Sequence, residues 1–213
     1  RNFLSQIRQD FSEGHLLYDT LRYNYQKKSS AILISGQDFK DLGLADSEPD
    51  FYVRDKNNIL LVESKDFYMR GAFKFSYEFP EIERALTIDG SGNPDRLGKA
   101  VLQLKTNIIR IINKSIPSDI DYELSKTTIF PIIIVHDAIY SSPGLNHWFY
   151  FKLLDILEEL KVDPQYGTFD FKRIMPVTLV EIDTLLFFEE SLHQEKLDIA
   201  QLIREYHEWV DYA

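Results

Sequence analysis

The sequence contains no cysteine, which excludes disulfide bonds, thiolate zinc sites and thiol nucleophiles. It also has no apolar run near the roughly 18 residues that a membrane-spanning helix needs. The longest run, Ile129 to Val135, has the length of a strand and contains a proline. The N-terminal residues show no signal-peptide pattern. We therefore expect a protein that is not inserted in a membrane, with the cytoplasm as its default location.

Basic residues are also scarce, with 24 Lys and Arg against 34 Asp and Glu and a net charge of -10. This balance argues against a protein that coats nucleic acid non-specifically, although it permits a local basic surface. The 44% hydrophobic and 27% charged residues are typical of a soluble globular chain. We expect one domain over residues 1–213. Because the chain begins with Arg1, we interpret it as processed or as a piece of a longer protein.

The order of helical and extended patterns predicts the fold class. Gln37 to Glu48 is polar and contains a glycine, so we expect an irregular loop there. Helical patterns alternate with short apolar strands, which favours an α/β or α+β class with a central mixed sheet of four to six strands and flanking helices. The predicted helices are Phe3–Gln26, Pro94–Lys114, Trp148–Lys161 and a last one from Ile199; the predicted strands include Ala31–Ile34, Ile129–His136 and Val177–Ile182.

The clearest local unit is a β-hairpin. Asp50–Arg54 is predicted as its first strand and Ile59–Lys65 as its second, with a four-residue polar turn between them. Residues two apart on a strand point to the same face, so Glu63 and Lys65 project together. The turn brings Asp50 across from this pair.

Two carboxylates at short range repel each other unless a cation lies between them. Mg²⁺ suits such a pair because it binds one or two carboxylates, keeps several waters and shares its shell with phosphate. A lysine beside the metal can orient water and neutralise charge that builds on a phosphate. Asp50, Glu63 and Lys65 therefore suggest hydrolysis of a phosphodiester. The alternative is a surface hairpin with an ordinary Glu–Lys salt bridge.

The pattern Pro49-Asp50, a 13-residue step to Glu63, and then Lys65 resembles the PD-(D/E)xK nuclease superfamily, which has a restriction-endonuclease-like fold. The resemblance covers about Asp50 to His136. It implies that Asp50 and Glu63 hold Mg²⁺ or Mn²⁺, that the carbonyl of Ser64 is a further ligand, and that Lys65 assists the attacking water in cleaving DNA.

The superfamily often adds an acid from the first helix, and Glu13 is the candidate here. The alternative is an ordinary glutamate that the helix dipole favours near an N-terminus. His136 follows a predicted strand, at a kind of position where functional sites gather in such sheets. It is interpreted either as a neighbour of the metal or as a hydrogen-bonded structural histidine.

The predicted helix Pro94–Lys114 carries the second functional feature. Its apolar residues repeat at spacings of 4, 3, 4 and 3, and no acid occurs between Arg96 and Ser118. Such a basic, amide-bearing stripe suits DNA phosphates, and the resemblance suggests that Gln103 lies near the active site. The alternative is a solvated helix face. The stripe, which we expect opposite the apolar face, consists of Lys99, Gln103, Asn107, Arg110 and Lys114.

Together these features predict a Mg²⁺- or Mn²⁺-dependent nuclease that acts on DNA, for which a homodimer would suit cleavage of both strands. One alternative is a restriction-endonuclease-like domain that binds nucleic acid or a partner protein without cleaving. Another is a carboxylate-pair hydrolase acting on sugars. The intact set of Asp50, Glu63 and Lys65 favours the nuclease. The sequence leaves open DNA or RNA, strand preference and sequence specificity.

Overall fold

The computed structural model describes residues 11, 15–44, 48–67, 78–89, 91–141 and 143–210. Within these residues one five-stranded sheet runs in the order β1-β2-β3-β4-β5. The prediction of a mixed α/β architecture with a central sheet is thereby confirmed. The strands are β1 (Ile32–Ser35), β2 (Phe51–Asp55), β3 (Asn58–Lys65), β4 (Thr128–Val135) and β5 (Thr178–Glu181).

The sheet is antiparallel on one side and parallel on the other. The predicted hairpin is confirmed as β2 and β3, in which Phe51 pairs with Val62. Its predicted four-residue turn was wrong, because Asp55 pairs with Asn58 and the turn consists of Lys56 and Asn57. β1 pairs antiparallel with β2, whereas β3, β4 and β5 are mutually parallel. Parallel strands need a crossover connection, and the described part of the one between β3 and β4 includes the helices Phe79–Thr87 and Arg96–Ile112. As a result β3 and β4 end at the same edge of the sheet.

Helices cover both faces of the sheet in the described part of the chain. One apolar layer contains α4 and α5, and the opposite layer contains α1, α6, α7 and α8. No helix among the described residues is long and apolar enough to cross a membrane. The helices are α1 (Tyr18–Tyr25), α2 (Gly36–Asp41), α3 (Phe79–Thr87), α4 (Arg96–Ile112), α5 (Pro143–Lys161), α6 (Ile182–Phe187), α7 (Glu189–His193) and α8 (Ile199–Trp209), with 3-10 turns at Ala138–Ser141 and Phe171–Arg173.

Alternation along β3 decides which side chains meet which layer. Ile59 and Leu61 belong to the layer that contains α4, while Leu60 and Val62 belong to the opposite layer. All four are at most 2% exposed, so the strand is buried on both faces. Continuing the alternation, Glu63 and Lys65 lie on the α4 side and Ser64 on the other side.

The apolar seam of α4 is buried as its spacing predicted. The start of the helix was predicted incorrectly, because the helix begins at Arg96 with Asp95 as its N-cap and not at Pro94. Pro94 instead forms an isolated bridge with Ile88, and the Asp95 N–H donates to the Thr87 carbonyl at 2.8 Å. Gly98 permits this close packing of α3 on α4, since a Cβ there would lie 2.3 Å from the Thr87 carbonyl oxygen.

The prediction of a loop from Gln37 to Glu48 was wrong in its first part, which belongs to α2. The Ser35 hydroxyl accepts a hydrogen bond from the Asp38 N–H, and the Asp38 carboxylate accepts one from the Ser35 N–H. These polar residues therefore form a capping box. α2 packs through Phe39, which is fully buried.

Candidate active site

Three of the four residues predicted to be catalytic, Asp50, Glu63 and Lys65, lie together at the C-terminal end of β3. The Lys65 ammonium nitrogen lies 3.3 Å from Glu63 Oε2 and 3.9 Å from Asp50 Oδ2. The same nitrogen donates to the Ser64 carbonyl oxygen at 3.0 Å. Oxygens from Asp50, Glu63 and Ser64 thus converge on one cationic group.

The backbone of the hairpin fixes Asp50 beside the end of β3. Asp50 directly precedes β2. Because residues two apart on a strand point to the same face, Asp50 lies on the same side as Tyr52, which faces α4. The Ser64 N–H donates to Asp50 Oδ2 at 2.6 Å, a short charge-assisted hydrogen bond. On the other side of the residue, the Gly36 N–H donates to the Asp50 carbonyl at 2.9 Å. Asp50 is therefore held through both its side chain and its main chain.

The site lies largely out of solvent. The Glu63 side chain is 0% exposed, and those of Lys65 and Asp50 are 17% and 25% exposed. Burial raises the pKa of the Asp50 carboxyl, while the Lys65 charge and the Ser64 N–H partly oppose that rise. The full burial of Glu63 argues against an ordinary surface hairpin, although the Glu63–Lys65 ion pair is present. Both carboxylates contact the same ammonium, so they lie close enough to share a cation.

The donor set fits a magnesium ion. It consists of two carboxylates and one backbone carbonyl, and Mg²⁺ prefers such oxygen ligands while keeping waters of its own. Among the described residues, no group of three or more Asp, Glu or His side chains is arranged to hold a metal. Glu13, the candidate for a third acid, lies outside the described residues. Within the described residues, Asp50, Glu63 and the Ser64 carbonyl are candidate ligands for such an ion.

His136 lies behind this site and not within it. Its Nε2 atom is 3.0 Å from Ser64 Oγ, and Ser64 points away from the face that carries Glu63 and Lys65. Burial lowers the pKa of His136, and Asp66 and Asp183 partly oppose this shift. Of the two interpretations from the sequence, the hydrogen-bonded histidine matches this geometry. The link to Ser64 was missed, because it depends on the register in which β3 and β4 pair, which neither strand specifies alone.

The N-terminal end of α4 lies beside the site. The Arg96 guanidinium carbon lies over the Phe67 ring, 5.4 Å from the ring centroid. Phe67 follows Lys65 by two residues. A helix rises about 1.5 Å per residue, so Lys99 lies about one turn and Gln103 about two turns further along. Lys99 is exposed.

The C-terminal end of α4 lies at the opposite edge of the sheet. The Lys114 ammonium lies over the Tyr122 ring, 5.2 Å from the ring centroid. The Arg54 guanidinium lies 5.8 Å from the same centroid, and Arg54 pairs with Ile59 near the start of β3. Arg110 is roughly 16 Å from Lys99 along the helix axis. Lys99 and Gln103 are therefore the members of the stripe that lie nearer the candidate site.

The stripe does not lie opposite the apolar seam as predicted, because Asn107 is fully buried. Its Nδ2 donates to the Gln103 carbonyl at 2.9 Å, and its Oδ1 accepts from Arg110 at 2.9 Å. Gln103 is half-buried, and its Oε1 atom is buried with no hydrogen-bond partner among the described residues. The stripe thus runs along one flank of α4, with exposed lysines at its two ends and amides between them.

Comparison of the chain with protein-family models, curated protein sequences and solved structures found no match. The chemistry of the described residues therefore carries the functional interpretation. Its strongest element is the convergence of three oxygens and an ammonium group at the C-terminal edge of parallel strands, where ligands commonly bind in open α/β sheets.

Proposed function

We propose that this protein is a divalent-metal-dependent nuclease that hydrolyses DNA phosphodiester bonds. The observation that carries the proposal is the convergence of Asp50 Oδ2, Glu63 Oε2 and the Ser64 carbonyl around the Lys65 ammonium. These atoms already surround a positive charge, and they are the hard oxygen donors that Mg²⁺ or Mn²⁺ takes.

The arrangement of elements supports a restriction-endonuclease-like fold as part of the same proposal. The resemblance to the PD-(D/E)xK superfamily covers a hairpin, the helix after it and the next strand. In this chain the corresponding elements are β2 and β3, α4, and β4. Asp50 and Glu63 lie at the open end of the hairpin and on the same face, and α4 covers that face.

Each side chain has a role that follows from its contacts. Asp50 and Glu63, with the Ser64 carbonyl, would hold the metal ion. When bound, the ion supplies Lewis-acid stabilisation of phosphate charge and lowers the pKa of a bound water. The Ser64 N–H keeps Asp50 oriented toward Lys65. Lys65, anchored by Glu63 and the Ser64 carbonyl, places its charge where negative charge develops on the phosphate.

The proposal is tested by comparing the wild type with Asp50→Ala. We expect the wild type to bind Mg²⁺ or Mn²⁺ in calorimetric titration and Asp50→Ala to lose most of that affinity, because Mg²⁺ has few protein ligands to replace. The matched control is Asp170→Ala. Asp170 belongs to another acid-x-Lys triplet, is 57% exposed in its side chain, and caps a 3-10 turn far from this set of contacts.

The second measurement is cleavage of plasmid, single-stranded DNA and RNA with Mg²⁺ or with EDTA. Metal-dependent cleavage of DNA that Asp50→Ala loses and Asp170→Ala keeps would support the nuclease. Equal metal binding by the wild type and Asp50→Ala would reject the metal assignment. DNA binding without cleavage would favour the non-cleaving domain, and cleavage of RNA alone would change the substrate class.

A further inference from the structure

Ser64 makes three different polar contacts through one residue. Its N–H donates to Asp50 Oδ2 at 2.6 Å, and its carbonyl accepts from Lys65 at 3.0 Å. Its hydroxyl lies 3.0 Å from His136 Nε2, and the whole residue is 0% exposed. The main chain of Ser64 therefore contacts Asp50 and Lys65 on the α4 side of the sheet, while its hydroxyl contacts His136 on the opposite side.

His136 reaches Ser64 from the neighbouring strand. Ser64 pairs with Ile134, and the last pair of the β3–β4 ladder is Lys65 with Val135. His136 is the first residue after that ladder, so its hydrogen bond continues the connection between the two strands where their register ends. Because it points to the face opposite Glu63, its contact with the site runs through Ser64.

Packing alone does not require this pair. The neighbours of Ser64 on the same face, Val62 and Ile134, are apolar and buried, and an apolar residue would suit the same layer. A buried hydroxyl costs about 1–3 kcal/mol when it lacks a partner, whereas apolar replacement of both partners is often nearly neutral. The choice of a hydroxyl and an imidazole here thus calls for a role beyond filling the layer.

We propose that His136 is a positioning residue of the metal site, acting through the Ser64 hydroxyl to fix the peptide that holds Asp50 and presents the Ser64 carbonyl. This inference rests on the proposed function, because the carbonyl and Asp50 matter as metal ligands. Residues that hydrogen-bond to metal ligands without touching the metal typically change metal affinity or activity by about 10–100-fold when they are removed.

The chain offers a matched control in a second buried histidine–hydroxyl pair. His207 Nε2 lies 2.7 Å from Thr178 Oγ1, and both residues are buried. This pair joins β5 to α8, so it does not touch β3. A histidine removed at His207 should affect stability through a similar lost hydrogen bond without moving the Ser64 peptide.

The experiment uses His136→Ala, His136→Gln, Ser64→Ala and the control His207→Ala. Mn²⁺ affinity is measured by calorimetry, and exchange of the Ser64 N–H is measured by NMR without metal. We expect His136→Ala to weaken Mn²⁺ binding about 10–100-fold and to speed exchange of the Ser64 N–H. Because a glutamine amide can reach the same hydroxyl, His136→Gln should recover most of both properties.

His207→Ala should leave both readouts at the wild-type level after correction for global stability. If His136→Ala does not fold, Ser64→Ala removes the other end of the bond with a smaller change and should weaken Mn²⁺ binding in the same way. Should the folded His136 or Ser64 variant match His207→Ala in both readouts, the positioning role is wrong even if the wild type cleaves DNA. A wild type that binds no divalent cation overturns the nuclease proposal, and this role with it.

Discussion

Replacing Lys65 by methionine keeps an unbranched side chain that is one atom shorter and removes the charge. The Lys65 ammonium lies 3.3 Å from Glu63, whose side chain is 0% exposed, and 3.9 Å from Asp50. Removing one partner of a buried ion pair typically costs about 3–5 kcal/mol of the free energy of unfolding. For a chain of this length, 1 kcal/mol corresponds to roughly 2–4 °C. In EDTA, Lys65→Met should therefore melt roughly 6–20 °C below the wild type.

A divalent cation should reverse much of this loss, because it neutralises the same carboxylates. A ligand at 100 times its Kd stabilises the folded state by about 2.7 kcal/mol. Lys65→Met lacks the ammonium that shares these oxygens, so it should gain more stability from Mg²⁺ than the wild type gains. Its cleavage rate should nevertheless fall by about 10²–10³, because the charge that faces the developing phosphate is gone.

Thermal unfolding across a Mg²⁺ series, with plasmid cleavage on the same samples, measures both effects. The control is Lys105→Met, which breaks a 3.7 Å contact with Glu159, a residue that is 74% exposed in its side chain. Exposed pairs contribute about 0–1 kcal/mol, so this variant should stay near the wild type in every condition. Wild-type stability of Lys65→Met in EDTA, or undiminished cleavage, would refute the reasoning.

Two further predictions concern the proposed DNA contact along the stripe of α4 and the stability of the protein in acid. The double variant Lys99→Ala with Arg110→Ala should weaken DNA binding in Ca²⁺ and reduce the slope of log affinity against log salt by about one unit per lost phosphate contact. The control double variant, Lys105→Ala with Lys126→Ala, should change neither. Fluorescence anisotropy across a salt series measures the slopes, and equal slopes for the two double variants would contradict the prediction. Burial lowers the pKa of His207 to about 4, so stability should fall as pH drops from 6.5 toward 4, where only the unfolded state gains the proton. Denaturation at each pH should show that the free energy of unfolding depends less on pH in His207→Gln than in the wild type. An unchanged pH dependence would contradict the assignment of this effect to His207.

The sequence was sufficient to predict the hairpin and the seam of α4, because both depend on local periodicity. Four apolar residues followed by Glu63 and Lys65 indicate a buried strand with a polar end, and alternation then fixes the face of each side chain. The prediction that Asp50 lies across from this pair follows from the short turn. These are the features that local geometry determines.

Other features depend on contacts that local periodicity does not contain. Asn107 looks like a surface residue in sequence, but it is buried because its amide pairs with the Gln103 carbonyl and with Arg110. The Ser64–His136 bond joins residues 72 positions apart, and it requires that β4 pair parallel to β3 in one particular register. A helix periodicity or a strand alternation specifies a face, whereas the partner on that face is set by the tertiary fold.

In the proposed nuclease, the charge of the site would link metal binding to DNA binding, although the protein itself has a net charge of -10. Of the three side chains Asp50, Glu63 and Lys65, the two carboxylates carry one more charge than the ammonium when both are ionised, which disfavours a phosphate beside them. A divalent cation reverses the sign of that sum at the place where the phosphate would bind. Lys99 is exposed about one turn into α4, whereas Arg110 lies roughly 16 Å further along the helix. Metal loading and DNA affinity should therefore be coupled, since the ion would add positive charge beside Lys99, which among the exposed members of the described stripe lies nearest the site.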